Sequence, residues 1–408
     1  MTETVRIAEL GHAGDGIAEV GDKRIFVPFT LPGETVAIER EGTRARLIEV
    51  VEAAAGRVEP PCRHFGTCGG CALQHMETTA YLAWKRDIVR RSLALHRIDA
   101  EVEPVVATTP ASRRRALFSA VHAGDRLILG FHRRGSHEIV SVEECPVLSA
   151  DIVAALPLLR AIAARVIRKR RQARVTVTAG NGLDIAIEGG GRLDRTALEE
   201  LGSFAREQAI ARLAVDGTEV FMNRRPELAA GDAVLLPIAG GFVQASAAAE
   251  AALAEAVTAH VGDAAPVADL FAGLGTFTLR LARTAAVTAV EGDPALLEAL
   301  AQATHHARGL KPVATLRRDL FTNPLVPAEL DRFAAVVFDP PAAGAKAQAE
   351  AIAQSRVAKV VAVSCNPATL ARDARRLLDG GYRLTRVLPV DQFLWSTEIE
   401  VVATFARG

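Results

Sequence analysis

The sequence predicts an α/β protein: a Rossmann-like, doubly wound seven-stranded sheet at the C-terminal end, preceded by an OB-like β-barrel and a central α+β domain. Three observations carry that expectation. After residue 247, five short apolar runs alternate with helical stretches: Val267-Ala-Asp-Leu, Ala286-Val-Thr-Ala-Val, Val313-Ala-Thr-Leu, Ala335-Val-Val-Phe and Val360-Val-Ala-Val. Parallel strands covered by helices on both faces read as unbroken apolar runs of this kind. Residues 4–52 instead alternate apolar and polar positions between glycine turns such as Gly14-Asp-Gly16, as the strands of a small closed barrel do. In between, strand patterns over 116–142, a helix over about 150–168, and two strands joined at Gly180-Asn-Gly182 make a mixed block that ends near Pro237.

The expected boundaries are therefore 1–54, 55–240 and 241–408. A helix over 77–97, with Tyr81 and Trp84 on its apolar side, is expected to pack on the C-terminal domain. Two last strands, near 383–388 and 400–405, lack an intervening helix and predict a hairpin with one reversed edge strand.

A chain of 408 residues, half of them hydrophobic, has room for two or three cores. Its 48 basic and 48 acidic residues cancel, which argues against coating nucleic acid by bulk attraction and leaves local basic paths. Candidates are Arg113-Arg-Arg115, Arg133-Arg134 and Arg168-Lys-Arg-Arg171. No apolar run reaches the ~18 residues a bilayer crossing needs, and the N-terminus lacks a signal-peptide pattern, so a cytoplasmic monomer with no membrane partner is expected. Thiols stay reduced in that compartment, which makes clustered cysteines metal ligands or catalytic groups.

The five cysteines divide into two sets. Cys62-x5-Cys68-Gly-Gly-Cys71 with the distant Cys145 suits zinc or an iron-sulfur cluster, and the spacing favours neither. Cys365 stands alone in Ser364-Cys-Asn-Pro367, just after an apolar strand. A rigid turn there holds a nucleophile out toward substrate, and the field of the following helix start is expected to lower the thiol pKa.

Ligands of open α/β sheets sit beyond the carboxyl ends of the strands. The residues found there are the glycine turn Phe271-Ala-Gly273-Leu-Gly275, expected to open a helix, then Glu291, Asp319 and Asp339-Pro-Pro. An acid at position 291 suits ribose hydroxyls, and glycine allows close backbone approach. No phosphate-binding Lys or Arg accompanies the glycines, so S-adenosylmethionine fits better than a dinucleotide.

Several motifs together resemble the RNA (uracil-5-)-methyltransferases. They are Asp269-Leu-Phe-x-Gly-x-Gly, Asp339-Pro-Pro-x-x-Gly, Ser364-Cys-Asn-Pro-Ala-Thr-Leu-Ala-Arg-Asp373, Asp391-Gln-Phe393 and the cysteine run through Gln74-His75. The barrel segment resembles a TRAM domain, an OB-like RNA-binding module. The resemblance covers nearly the whole chain and implies a class I methyltransferase acting on C5 of uracil in RNA. It implies Cys365 as the nucleophile at C6 and Glu400 as the base that removes the C5 proton, with Glu398 the substitute if the register slips. It also implies cofactor contacts at Gln244, Phe271, Gly273, Glu291, Asp319 and Asp339. The four cysteines Cys62, Cys68, Cys71 and Cys145 are implied to hold a [4Fe-4S] cluster ahead of zinc, as in the branch acting on 23S rRNA, with tRNA the alternative substrate. Leu394, Ala342, Thr276 and Glu398 depart from the family's usual residues. Radical enzymes joining iron-sulfur and S-adenosylmethionine use three cysteines at tighter spacing, and a non-catalytic RNA-binding protein would not need Cys365 and Glu400.

Overall fold

A computed structural model describes residues 2–407 other than 170, 192 and 209, so Arg170 of the basic run lies outside the described residues. Near the N-terminus, Val5 and Ile7, Ile25 and Val27, and Val36 and Ile38 occupy alternate strand positions, which sends them all to one face. That face closes on itself. The strands β1 (Thr2–Leu10), β2 (Asp15–Val20), β3 (Lys23–Pro28), β4 (Thr35–Glu41) and β5 (Arg44–Glu52) form a closed barrel in the order β1-β2-β3-β5-β4 around those side chains.

Residues 53–77, with three of the cysteines, run as turns and isolated bridges. Glu77 then caps α1 (Thr78–Leu95) by accepting from the N–H groups of Thr79 and Ala80. Tyr81, Trp84, Lys85, Val89 and Leu93 recur at helical spacing on its buried face. Val89 and Leu93 enter the core of the C-terminal sheet. The connection onward supplies β6 (Val106–Ala107), an added strand of that sheet.

The middle of the chain contains β7 (Arg115–Ala123), β8 (Arg126–His132), β9 (Ile139–Ser141), α2 (Ala150–Val166), β10 (Gln172–Ala179), β11 (Leu183–Glu188), α3 (Arg195–Arg206), β12 (Ile210–Val215) and β13 (Thr218–Met222). Its sheet runs β13-β12-β11-β10-β7-β8-β9, with α2 and α3 packed over a core that includes Ile152, Leu159, Val175 and Leu213. A small hairpin, β14 (Leu228–Ala230) and β15 (Ala233–Leu235), leads to α4 (Ala247–Val261). The run Arg113-Arg-Arg115 is structural here. Arg114 is buried against Glu250 of α4, and Arg115 donates to the carbonyls of Gly240 and Gly241.

The last segment alternates β16 (Val267–Leu270), α5 (Thr278–Leu281), β17 (Val287–Glu291), α6 (Pro294–His306), β18 (Val313–Arg317), α7 (Pro327–Leu330), β19 (Ala335–Phe338), α8 (Lys346–Ala353), β20 (Lys359–Ser364) and α9 (Pro367–Asp379), then ends in β21 (Tyr382–Asp391) and β22 (Glu400–Arg407). Seven strands come from this segment and β6 makes an eighth, in the order β18-β17-β16-β19-β20-β22-β21-β6. The reversed strand is not at the edge as the sequence suggested: β22 runs antiparallel between β20 and β21. Its first six residues are all buried, whereas β21 has exposed or partly exposed positions over 383–386, so the more apolar strand takes the place covered on both faces. Strand order reverses between β16 and β19, the switch point where a crevice opens. Among the described residues, no helix is long and apolar enough to cross a membrane.

Candidate active site

A cavity of about 500 Å³ lies at that switch point. Gln244, Phe271, Gly273, Glu291, Asp319, Asp339, Cys365 and Glu400 all line it, so the residues singled out from the sequence for cofactor binding and catalysis share one space. Sheet register brings the central pair together. The β20–β22 ladder pairs Ser364 with Val401, and Cys365 and Glu400 are the next residue on each chain. Glu400 is 3 % exposed and Cys365 is half-buried. Glu398, the substitute base, is exposed, and its carbonyl serves as an acceptor for Lys85.

The turn carrying Cys365 is held on all sides. The Asn366 side chain accepts from the N–H groups of Ala368 (3.0 Å) and Thr369 (3.4 Å), capping α9, while Pro367 presets its first turn. Asn366 Nδ2 and Thr369 Oγ1 both donate to the Ala342 carbonyl at 3.1 Å, which ties the turn to the Asp339-Pro-Pro loop. Gly344 closes that loop at φ 72°, where an added Cβ would lie 2.5–2.9 Å from Arg372, Asp373 and Thr369. Ala342 therefore takes part through its backbone, although its side chain departs from the motif it resembles.

At the other end, the Glu291 carboxylate accepts from the N–H groups of Gly273 (3.0 Å), Gly292 (2.7 Å) and Asp293 (3.0 Å), lashing the glycine turn to the neighbouring strand. Gly275 has φ 89°, and a Cβ there would lie 2.3 Å from Leu300 Cδ1. The turn opens only a four-residue helix, α5, and one of its N–H groups is already taken by Glu291. The helix-end field expected from sequence is accordingly small, which suits a ligand without a pyrophosphate. Asp319 accepts from Phe321 N–H and Thr322 Oγ1, both at 2.9 Å, and these bonds hold its carboxyl below the usual range. Phe271 sits at φ 60°, rare for a bulky side chain, with its ring 5.3 Å from that of Phe321. Phe321, half-exposed at the cavity wall, went unnoticed in the sequence because a lone aromatic after an acid carries no pattern.

Electrostatics correct one expectation. Burial, then the Glu400 and Asp339 carboxyls, push the Cys365 thiol up to about 11 instead of lowering it. The helix-start effect is weak because Asn366 already satisfies the first N–H groups of α9. Burial also raises Glu400, to about 7, with a hydrogen bond from Gln392 opposing and Glu398 adding to the rise. Asp339, buried beside Glu400 and Asp269, rises well above an ordinary carboxyl.

Sequence reasoning missed Gln392, hidden as the middle residue of Asp391-Gln-Phe393. Its Nε2 donates to Glu400 Oε2 (2.7 Å) and to Gln244 Oε1 (2.8 Å), and its Oε1 accepts from Ala245 N–H (3.1 Å). The loop around it is anchored from α1. Asp391 accepts from Tyr81 Oη (2.7 Å) and from Lys85 Nζ, which also donates to the carbonyls of Phe393 (3.1 Å) and Glu398 (2.6 Å).

A second cavity, of about 260 Å³, is bordered by Cys62, Cys68, Cys71 and Cys145. Gly69 permits the approach of the two strips of chain: its N–H donates to His132 O at 2.8 Å, and a Cβ would collide with that oxygen. Burial raises the thiols of Cys68, Cys71 (to about 12) and Cys145, and their sulfur neighbours raise them further. Buried His64 Nε2 and Gln74 Oε1 at this cavity have no hydrogen-bond partner, and Arg113 lends positive charge near Cys145 and Cys71. Four thiols, a cation and unpartnered polar atoms around one space suit a sulfur-ligated group. Among the described residues, no three His, Cys, Asp or Glu side chains converge to grip a single ion.

Comparison with known proteins agrees with this geometry. Residues 4–49 match the TRAM-domain family of tRNA (uracil(54)-C(5))-methyltransferase, and residues 314–407 match the tRNA (uracil-5-)-methyltransferase family. An uncharacterized RNA methyltransferase of Brucella suis is 46 % identical over 408 residues, covering all of this chain and 98 % of its own. The 23S rRNA (uracil(1939)-C(5))-methyltransferase RlmD of Shewanella frigidimarina is 32 % identical, covering 98 % of this chain and 95 % of its own. The crystal structure of Pyrococcus abyssi tRNA (uracil-54, C5)-methyltransferase with S-adenosyl-L-homocysteine shares the fold at TM-score 0.75 and 21 % identity, over 99 % of both chains.

Proposed function

Because this chain belongs to the RNA (uracil-5-)-methyltransferase family, whose members use S-adenosylmethionine, we propose that it methylates C5 of a uridine in 23S rRNA in the cytoplasm, through a covalent bond from Cys365 to C6. The observation that carries this reading is the cross-strand placement of Cys365 and Glu400 in the cavity lined by the methyl-donor residues.

Gln244, Phe271, Gly273, Glu291, Asp319 and Asp339 would hold S-adenosylmethionine, which supplies an electrophilic methyl carbon when bound. The target base must leave its stack to enter the cavity, at a cost of roughly a few kcal/mol offset by contacts there. C5 of uracil is too weak a nucleophile to take a methyl group unaided. Cys365 Sγ adds to C6, and the electron pair of the C5=C6 bond moves into an enolate. The thiol proton, held tightly at rest, leaves to solvent before attack, since Cys365 is only half-buried at the cavity wall. C5 would then take the methyl carbon, whose bond to the donor sulfur breaks to leave S-adenosylhomocysteine. Glu400 removes the C5 proton, the C5=C6 bond re-forms, and the Cys365 thiolate leaves.

Cys62, Cys68, Cys71 and Cys145 would hold a [4Fe-4S] cluster that staples distant segments and has no part in these steps. This site and the relative named for 23S rRNA favour the ribosomal substrate. A tRNA substrate is the second reading, favoured by the names of both matching families and of the archaeal structure.

The test incubates enzyme and labelled methyl donor with 5-fluorouridine-substituted 23S rRNA or tRNA. Fluorine at C5 cannot leave as a proton, so the true substrate is trapped as a protein–RNA adduct stable to denaturation. Cys365→Ala is expected to abolish the adduct, and one that persists in this variant would rule out the nucleophile.

A further inference from the structure

We propose that Gln392 is a positioning residue that selects which oxygen of Glu400 receives the C5 proton and which way Gln244 faces the methyl-donor pocket. The inference rests on the functional reading above. Gln392 is 3 % exposed and each end of its amide is engaged. Oε1 takes the Ala245 N–H at 3.1 Å, while Nε2 reaches Gln244 Oε1 at 2.8 Å and Glu400 Oε2 at 2.7 Å. Turning the amide over would set its oxygen against two other oxygens and its NH2 against a donor, so a single orientation satisfies all three partners.

Two consequences follow from that fixed amide. Glu400 Oε2 is occupied, which leaves Oε1 as the oxygen free to accept a proton from the substrate. Gln244 Oε1 is occupied too, so the Gln244 NH2 is the end left to donate to a carbonyl or carboxylate in the cavity. One side chain thereby couples the base to the donor pocket, and it belongs to neither by direct contact with substrate. The charged groups around Glu400 are Asp339 at the tip of β19, Cys365 after β20, Glu398 in the adjoining loop, and Asp391 on β21, which is paired with Lys85 of α1. Gln392 is the donor that favours the ionised form of Glu400 among these neighbours.

The experiment follows breakdown of the covalent intermediate on ordinary uridine-containing 23S rRNA, in single turnover and as a function of pH. Gln392→Met keeps the volume and removes both hydrogen-bonding ends. Release of methylated RNA is expected to slow roughly 10- to 100-fold, the scale of losing a hydrogen bond to a charged group. Adduct should accumulate, the pH midpoint of release should move upward, and KM for the methyl donor should rise. Gln392→Glu keeps the shape and, once ionised, presents a like charge to Glu400, so it should release more slowly still. Tm and far-ultraviolet circular dichroism of each variant establish that it is folded.

Glu400→Gln serves as the reference. If Glu400→Gln accumulates adduct while both Gln392 variants release RNA at the wild-type rate and pH midpoint, the clamp is wrong and the functional reading stands. If Glu400→Gln shows no accumulation, the base assignment fails and this inference falls with it.

Discussion

Phe393 and Glu400 line the cavity that holds Cys365, whereas Leu394 and Ser396, from the same loop, line the cavity bordered by the four cysteines. The two sites are neighbours built in different ways. The parallel strands β16 to β20 all end at the first cavity, so the groups there stand on tips whose register is fixed by their neighbours. The second is suspended from turns and isolated bridges, such as Cys68 opposite Arg133, with little regular structure beneath three of its cysteines. A sheet can hold a thiol against a carboxyl by register. Loops need a cross-link, and four thiols around one space can provide it.

The widest separation between the sites should come from Cys365→Ala. Methyl transfer is expected to fall by at least about 10⁴-fold, the scale seen when a covalent nucleophile is removed, with metal content and Tm unchanged. Turnover assays and elemental analysis on one preparation check both halves. Loss of metal from this variant would mean that the two sites are not independently built.

The shared loop is the place to break both sites at once. Lys85 and Asp391 are fully buried against each other, and removing one partner of such a pair costs about 3–5 kcal/mol. Lys85→Met should therefore unfold at markedly lower urea concentration. The folded fraction should bind methyl donor more weakly and also retain less metal. Lys85→Met combined with Asp391→Leu should recover much of the stability, because no unpaired charge is left buried. Donor affinity that stays normal in the single variant would show that the α1 anchor does not position the catalytic loop.

How legible each region was follows from the same contrast. In a parallel sheet, the residue after each strand points to the crevice by construction, so Glu291, Asp319, Asp339 and Cys365 were readable from strand patterns alone. The cysteine set was readable from spacing, although the cavity it borders was not. The anchors escaped notice because they join residues far apart in the chain: Tyr81 and Lys85 meet Asp391, and Gln392 meets Gln244. Periodicity placed Tyr81 correctly on a buried face and said nothing of its hydroxyl. The interior position of β22 depends on a competition between two apolar strands for a covered slot, which neither pattern shows singly. The elevated Cys365 pKa arises from two carboxyls that the fold, not the local sequence, brings to the thiol.

A narrower test removes one cysteine of the looser site. Cys71→Ser is expected to lose bound metal, and the main chain next to it should loosen. Ala72 N–H and Leu73 N–H donate to the Trp395 carbonyl at 2.8 and 3.1 Å, so disorder there reaches the loop that ends in Glu400. Methyl transfer should drop by about tenfold, far less than with Cys365→Ala, in keeping with losses from residues that support a site indirectly. Iron and sulfide against zinc in the wild-type protein identifies the metal group. A Cys71→Ser activity loss as large as that of Cys365→Ala would place the cysteine site in the chemistry itself.

The smallest expected effect concerns stability against pH. Glu400 rises from an ordinary carboxyl value to about 7 in the folded state, so between pH 4.5 and 7 the native protein holds a proton that the unfolded chain has released. Stability contributed by this group therefore falls as pH rises through that window, the reverse of a salt-bridged acid. Glu400→Gln keeps a hydrogen-bonding side chain and removes the charge. It should be more stable than wild type at pH 8, on the order of 1 kcal/mol, and no different near pH 4. Thermal melts of both proteins across the range measure the crossover. A wild-type protein that instead gains stability between pH 5 and 7 relative to Glu400→Gln would mean that Glu400 is ionised and well paired at rest, and that the base is not held in reserve by burial.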